Sequence, residues 1–225
     1  MGKNNFVGKE KKKQRNNLST TAKDYFNTGN ITQNWVNILI PYAEDYSSML
    51  SGSEIARRAK IPQQTVSRKL NEMCEMGILR YAREGRNKKY YLDLQNSIAK
   101  NILNIIENHR SLLFAAATPK IKPAIEEITK YAETAAIFGS YAKGKEDSKS
   151  DLDILILGKC DKKKISKIKN KSAVEINEKY AGYAEFKKML ESRNALAIEI
   201  AENHIIFGNI SNWIDILVGW KNGRG

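Results

Sequence analysis

The sequence predicts an α+β (mixed α/β) chain in which a small helical module with a β-hairpin precedes a mixed sheet flanked by helices. Three observations carry this expectation. Short helical periods fill residues 31–76, and an alternating segment with a cationic tip follows at 78–92. A long apolar period at 3.6-residue spacing spans 94–118. Beyond it, "AAIFGS" and "DLDILIL" read as two strands joined by the polar loop "YAKGKEDSKS".

Element by element, residues 1–30 are rich in lysine and asparagine and have no hydrophobic period, so a disordered basic segment is expected. Ile31, Trp35, Ile38, Leu39 and Tyr42 recur at helical spacing, with Pro41 placed to end or kink that helix. Ser51 followed by Glu54 has the spacing of a capping box at a helix start. Pro62 suits the entry of a helix running from about Gln63 to Met76, with Val66, Leu70 and Met73 inward and Gly77 as its stop. Residues 78–92 then alternate and turn at Glu84-Gly85-Arg86-Asn87, which predicts a hairpin. Ile98, Ile102, Ile105, Ile106, Leu112 and Leu113 mark the long helix, and Pro119 and Pro123 punctuate the chain after it. The expected organisation is therefore a basic segment over 1–30, a first domain over 31–93, a linker helix over 94–118 and a second domain over 119–225.

The formal charge of +13 and the pI near 9.6 favour phosphate-bearing partners. They oppose the approach of cationic acceptors such as aminoglycosides. Cys74 and Cys160 lie far apart, outside any Cys-x-x-Cys pattern, and are expected as small core residues. The apolar stretches fall short of a bilayer span and the N-terminus lacks a secretory signal, so no membrane partner and a cytoplasmic location are expected.

On the helix from Gln63, the residues left to project outward are Gln63, Gln64, Thr65, Ser67, Arg68 and Lys69. Glutamine pairs bidentately with adenine and arginine with guanine, so this face has base-reading chemistry. Arg83, Arg86, Lys88 and Lys89 at the hairpin suit phosphate contacts, which position without specifying. The order of elements through "SGSEIARRAKIPQQTVSRKLNEMCEMGILR" and "AREGRNKKYYL" resembles the winged helix-turn-helix regulators. That resemblance implies double-stranded DNA as partner, the Gln63 helix in the major groove, and the option of a homodimer.

Asp151 and Asp153, two residues apart on a strand, share one face, while Leu152 and Ile154 take the other. Two carboxylates so placed repel unless a cation lies between them, and an oxygen donor set suits Mg²⁺. Gly139 allows close approach of backbone to a phosphate, and Ser140 adds a hydroxyl and an amide. Gly139-Ser140, ten residues, then Asp151-x-Asp153 resembles the minimal nucleotidyltransferases of the DNA polymerase beta superfamily. Lys143-Gly144 and Ser150 also occupy positions where that family commonly carries a basic residue, a glycine and a serine.

The resemblance implies one or two Mg²⁺ ions held by Asp151 and Asp153, and a nucleoside triphosphate, ATP first among them, bound through Gly139, Ser140, Lys143 and Ser150. It also implies a third carboxylate on a neighbouring strand. Glu175 in "SAVEINEKY" is the candidate, as ligand or base, with Glu178 second and on the opposite strand face. Three functions then compete: a DNA-binding nucleotidyltransferase with an unknown acceptor, a transcription regulator whose transferase-like domain only senses nucleotide, and an antitoxin-like protein that adenylylates a partner protein. His109 and His204 lack a metal-ligand spacing and are expected to be structural or surface residues.

Overall fold

The computed structural model describes residues 33–222. The segment expected to be disordered, 1–30, lies outside them, as does Ile31. By contacts the chain divides into Met1–Asn37 and Ile38–Gly225. Of the first unit only the beginning of helix α1 (Gln33–Leu39) is described.

In the second unit, α2 (Pro41–Glu44) begins at the proline that ends α1, since proline cannot continue a helix but suits a first turn. A two-residue strand β1 (Leu50–Ser51) leads into α3 (Gly52–Ala59). Ser51 caps α3, its Oγ accepting the Glu54 amide at 3.2 Å, as the Ser-x-x-Glu spacing predicts. Lys60, in the left-handed region, closes α3. Helix α4 (Gln63–Glu75) comes next, with Pro62 as its N-cap residue and Val66, Leu70 and Met73 buried. Gly77 turns the chain out at φ +69°.

Strands β2 (Leu79–Glu84) and β3 (Asn87–Leu92) pair antiparallel across a two-residue turn, and Gly85 supplies φ +60° at its first position. Strand β1 adds to β3 through Leu50 opposite Tyr90. Helix, turn, helix and hairpin make a winged helix.

Helix α5 (Ser97–Ala117) starts at Asn96, whose side chain accepts the Ile98 amide. Its buried face is Ala99, Ile102, Leu103, Ile106, Glu107 and Ser111. Of the six apolar residues that mark this helix in the sequence, Ile98, Ile105, Leu112 and Leu113 are exposed. The period located the helix, but its inward stripe is set by the C-terminal strand and helix against which α5 packs.

Then come α6 (Lys122–Ile128), β4 (Ala132–Ile137), α7 (Gly139–Ala142), β5 (Leu152–Cys160), α8 (Lys162–Lys169), β6 (Ile176–Ala181), α9 (Tyr183–Glu191), α10 (Ala195–Glu202), β7 (Ile205–Gly208) and α11 (Ile210–Asn222). The four strands order as β6-β5-β4-β7, with β5 and β6 parallel and the other pairs antiparallel. One face of this mixed sheet buries Ile137, Leu152, Ile154, Ile156 and Ile176 against Ile121, Ile125 and Ile128 of the α6 segment and Ile165 and Ile168 of α8. The other face meets α5, α9 and α11. Cys74 and Cys160 are free thiols, half-buried rather than core residues. Among the described residues no helix is long and apolar enough to cross a membrane.

A buried polar cluster joins the winged helix, α5 and the second sheet's surroundings. Glu107, fully buried, accepts from Tyr46 Oη at 2.8 Å and pairs with Arg110 at 3.0 Å, while His204 Nε2 stands 3.4 Å away. Arg110 also donates to the carbonyls of Ala43 and His204. Thus His204 is a structural residue, with Nδ1 placed 3.1 Å from the Ala201 carbonyl.

Candidate functional site

The sequence places Gly139 where β4 ends, and the structure gives it φ +70°, a conformation that side chains with a Cβ rarely adopt. An added Cβ there would run into Oδ2 of Asp153. The glycine is therefore required twice, for its dihedral and for the carboxylate seated against it. Ser140 follows in the first turn of α7, half-buried. Phe138 and Asp153 are tied by an amide-to-carbonyl bond of 3.1 Å, which fixes the glycine turn beside the start of β5.

Asp153 points away from the buried Leu152 and Ile154, as strand alternation demands. Asp151 lies just before β5 and is exposed, and Asp153 is partly covered. In the parallel register Asp153 stands opposite Asn177, and Leu152 opposite Ile176. Asn177 Nδ2 donates to Asp153 Oδ1 at 2.8 Å. Oδ1 is thus held by an amide while Oδ2 faces the glycine turn.

Glu175 lies immediately before β6 and is exposed, and its carbonyl accepts the Leu152 amide at 2.8 Å. Its backbone is therefore at the end of the sheet where Asp151 sits. Glu178 is committed elsewhere, accepting Lys169 Nζ at 2.6 Å. Among the described residues, no three His, Cys, Asp or Glu side chains gather into a set able to hold a metal ion. What the site offers a divalent cation is the pair Asp151 and Asp153. This fits Mg²⁺, an oxygen-seeking ion that commonly takes one or two protein carboxylates and completes its shell with water and phosphate oxygens.

Lys143 and Ser150 have partners of their own. Lys143 Nζ meets Glu199 Oε1 of α10 at 2.6 Å. Ser150 Oγ accepts the Asp147 amide and donates to the Asp147 carboxylate, each at 2.9 Å. The Lys149 amide and the Ser150 hydroxyl hold Asp147 below the ordinary carboxylate range. Ser150 thus shapes the loop between Gly139 and Asp151.

In the winged helix, Gln63, Gln64, Ser67 and Arg68 are exposed on α4 and Thr65 and Lys69 are partly covered. Lys69 Nζ pairs with Glu72 one turn on, at 2.7 Å. On the wing, Arg83 and Arg86 are exposed, while Lys88 and Lys89 are half-buried. Lys88 Nζ sits 4.1 Å above the Tyr81 ring, which holds its charge on the β2–β3 surface.

Sequence reasoning missed Asn177, because an asparagine in "VEINE" carries no signal until the register of β6 on β5 is known. It missed Glu199 for a similar reason, since 56 residues separate it from Lys143.

Residues 119–216 match the family model described as a nucleotidyltransferase domain. That part of the chain is a nucleotidyltransferase domain, following a winged helix. Two solved structures are similar to the chain at low scores. The adhesin competence repressor (AdcR) of Streptococcus pyogenes is 16% identical, with 50% of this chain and 81% of that one covered and a TM-score of 0.33. The MarR family transcriptional regulator SPO1453 of Silicibacter pomeroyi DSS-3 is 13% identical, with 54% and 90% covered and a TM-score of 0.32. No curated protein matches.

Proposed function

We propose that the chain is a cytoplasmic, DNA-binding nucleotidyltransferase. It moves a nucleoside monophosphate from a nucleoside triphosphate, with ATP the first choice, to an acceptor. The division of labour follows residues 31–93 for DNA and 119–225 for transfer, with 94–118 between them. The observation that carries this reading is Asp153, seated against the Gly139 turn with Asp151 two residues before it.

In this reading Asp151 and Asp153 are the ligands of Mg²⁺, which, when bound, supplies neutralisation of charge on the phosphates. Gly139 lets the α7 backbone come close to a phosphate, and Ser140 offers its hydroxyl and amide. Lys143, beside these residues in sequence, exchanges Glu199 for the triphosphate. Glu175, at the same end of the sheet, is the candidate base toward an acceptor hydroxyl. On the winged helix, Gln63, Gln64, Thr65, Ser67, Arg68 and Lys69 face base edges. Arg83, Arg86, Lys88 and Lys89 meet phosphates.

One observation favours a second reading. The cross-strand neighbour of Asp153 is the neutral Asn177 rather than a carboxylate. A site with two carboxylates suits a transcription regulator that binds nucleotide without turning it over.

Calorimetric titration of ATP with Mg²⁺ into wild type and Asp151→Asn/Asp153→Asn tests the shared premise. Binding that depends on Mg²⁺ and on both aspartates supports it; binding indifferent to both removes the site from the account. Pyrophosphate release then separates transferase from sensor.

A further inference from the structure

Residues 159–171, "KCDKKKISKIKNK", hold seven lysines and one acid, Asp161. They form the end of β5, helix α8 and the turn after it. Burial of Ile165 and Ile168 against the sheet fixes which face of α8 looks outward. Lys163 and Lys167, one turn apart, are exposed there, and Lys171 follows at the same interval in the turn beyond the helix.

Three carboxylates nearby are engaged. Glu178 takes Lys169 at 2.6 Å, Glu126 on the adjoining α6 stands 3.8 Å from Lys122, and Asp161 caps the Lys164 amide at 3.1 Å. Glu127 on α6 is the remaining acid of that helix. Among the described residues, Lys163, Lys167 and Lys171 form no ion pair with any carboxylate. Two further lysines stand over aromatic rings, Lys162 at 4.7 Å from the Tyr180 centroid and Lys164 at 5.7 Å from that of Tyr131. Repulsion among unpaired cations is a cost to the folded protein, relieved by a polyanion whose charges recur along the same line.

We propose that α8 and the turn after it form a second nucleic-acid surface, distinct from the winged helix, that follows a phosphate backbone through Lys163, Lys167 and Lys171. The parallel pairing of β5 and β6 requires the connecting helix to run back along the sheet, so Lys171 returns to the end where Asp151 and Glu175 lie. A strand held on α8 is thereby led toward that end of the sheet. A backbone contact of this kind carries no sequence preference and shows itself in salt dependence.

The test uses the full-length protein and fluorescein-labelled DNA and RNA single strands of mixed sequence, with a DNA duplex alongside. Affinity is measured across a salt series. Lys163→Gln/Lys167→Gln/Lys171→Gln should bind single strands at least tenfold more weakly at the lowest salt. The slope of log K against log salt should fall by about 2, on the scale of ~0.7 per phosphate neutralised on a single strand. The triple Arg variant, with charge retained, should keep the wild-type slope, and Lys163→Gln/Lys167→Gln serves if the triple variant does not fold.

A wild-type slope in the Gln variants overturns the proposal. So does a larger loss of binding to phosphatidylserine vesicles or to polyglutamate than to the oligonucleotides. Arg83→Gln/Arg86→Gln separates this surface from the wing. Single-strand binding lost there but unchanged in the α8 variants rejects the second surface and leaves the winged-helix reading intact.

Discussion

Asn177 Nδ2 donates to Asp153 Oδ1 at 2.8 Å across two parallel strands, so the carboxylate that faces the Gly139 turn is oriented by a neutral amide. The bond fixes the Asp153 rotamer without adding charge. Asn177→Ala should release that rotamer and weaken Mn²⁺ binding several-fold. Asn177→Asp should place a third carboxylate beside the pair and tighten Mn²⁺ binding by roughly tenfold, about 1.4 kcal/mol. Water-proton relaxation or electron paramagnetic resonance of Mn²⁺ reads both.

Gly139→Ala carries two penalties. The left-handed backbone disfavours a Cβ by about 1–2 kcal/mol, and the methyl group displaces the Asp153 carboxylate. Thermal melting should show a destabilised protein, and nucleotide titration should show lost binding even in the folded fraction. Gly85→Ala on the wing, at φ +60° with open space around it, should cost stability alone.

Lys143 is held by Glu199 at 2.6 Å. If triphosphate takes Lys143 from Glu199, Glu199→Gln should tighten ATP binding a few-fold, and Lys143→Gln should weaken it. The ratio should shrink as salt rises, because the pair is partly exposed.

Burial by itself would raise the Glu107 carboxyl, but Arg110, His204 and the hydrogen bond from Tyr46 outweigh it and hold the group below its ordinary value. A depressed carboxyl contributes stability above its unfolded value, and that contribution is lost as pH falls through the folded one. Denaturant unfolding should therefore show stability declining at acid pH, and Glu107→Gln should flatten that decline. At neutral pH the variant leaves Arg110 without its carboxylate and should cost about 3 kcal/mol.

Much of this architecture was readable because local chemistry dictated it. The Ser51 cap, the Gly77 stop and the Glu84–Asn87 turn each depend on residues within a few positions of one another. Gly139 and the Asp151, Asp153 pair were readable as a spacing. Strand β1 was not, since two residues carry no period and only pairing with β3 makes them a strand. Nor was the exposed apolar side of α5, where Ile105 and Leu112 repeat as regularly as the buried Ile102 and Ile106. Glu107 reads as a surface residue until Tyr46, Arg110 and His204 are brought around it. The partners of Asp153 and Lys143 were hidden in register and tertiary contact.

Whether the chain transfers nucleotide is read by pyrophosphate release from α-³²P-labelled ATP with Mg²⁺, in wild type and Asp153→Asn, with the label traced to its acceptor in crude extract. Release coupled to a labelled product is expected in wild type, and neither in the variant. Equal release by both proteins would contradict it.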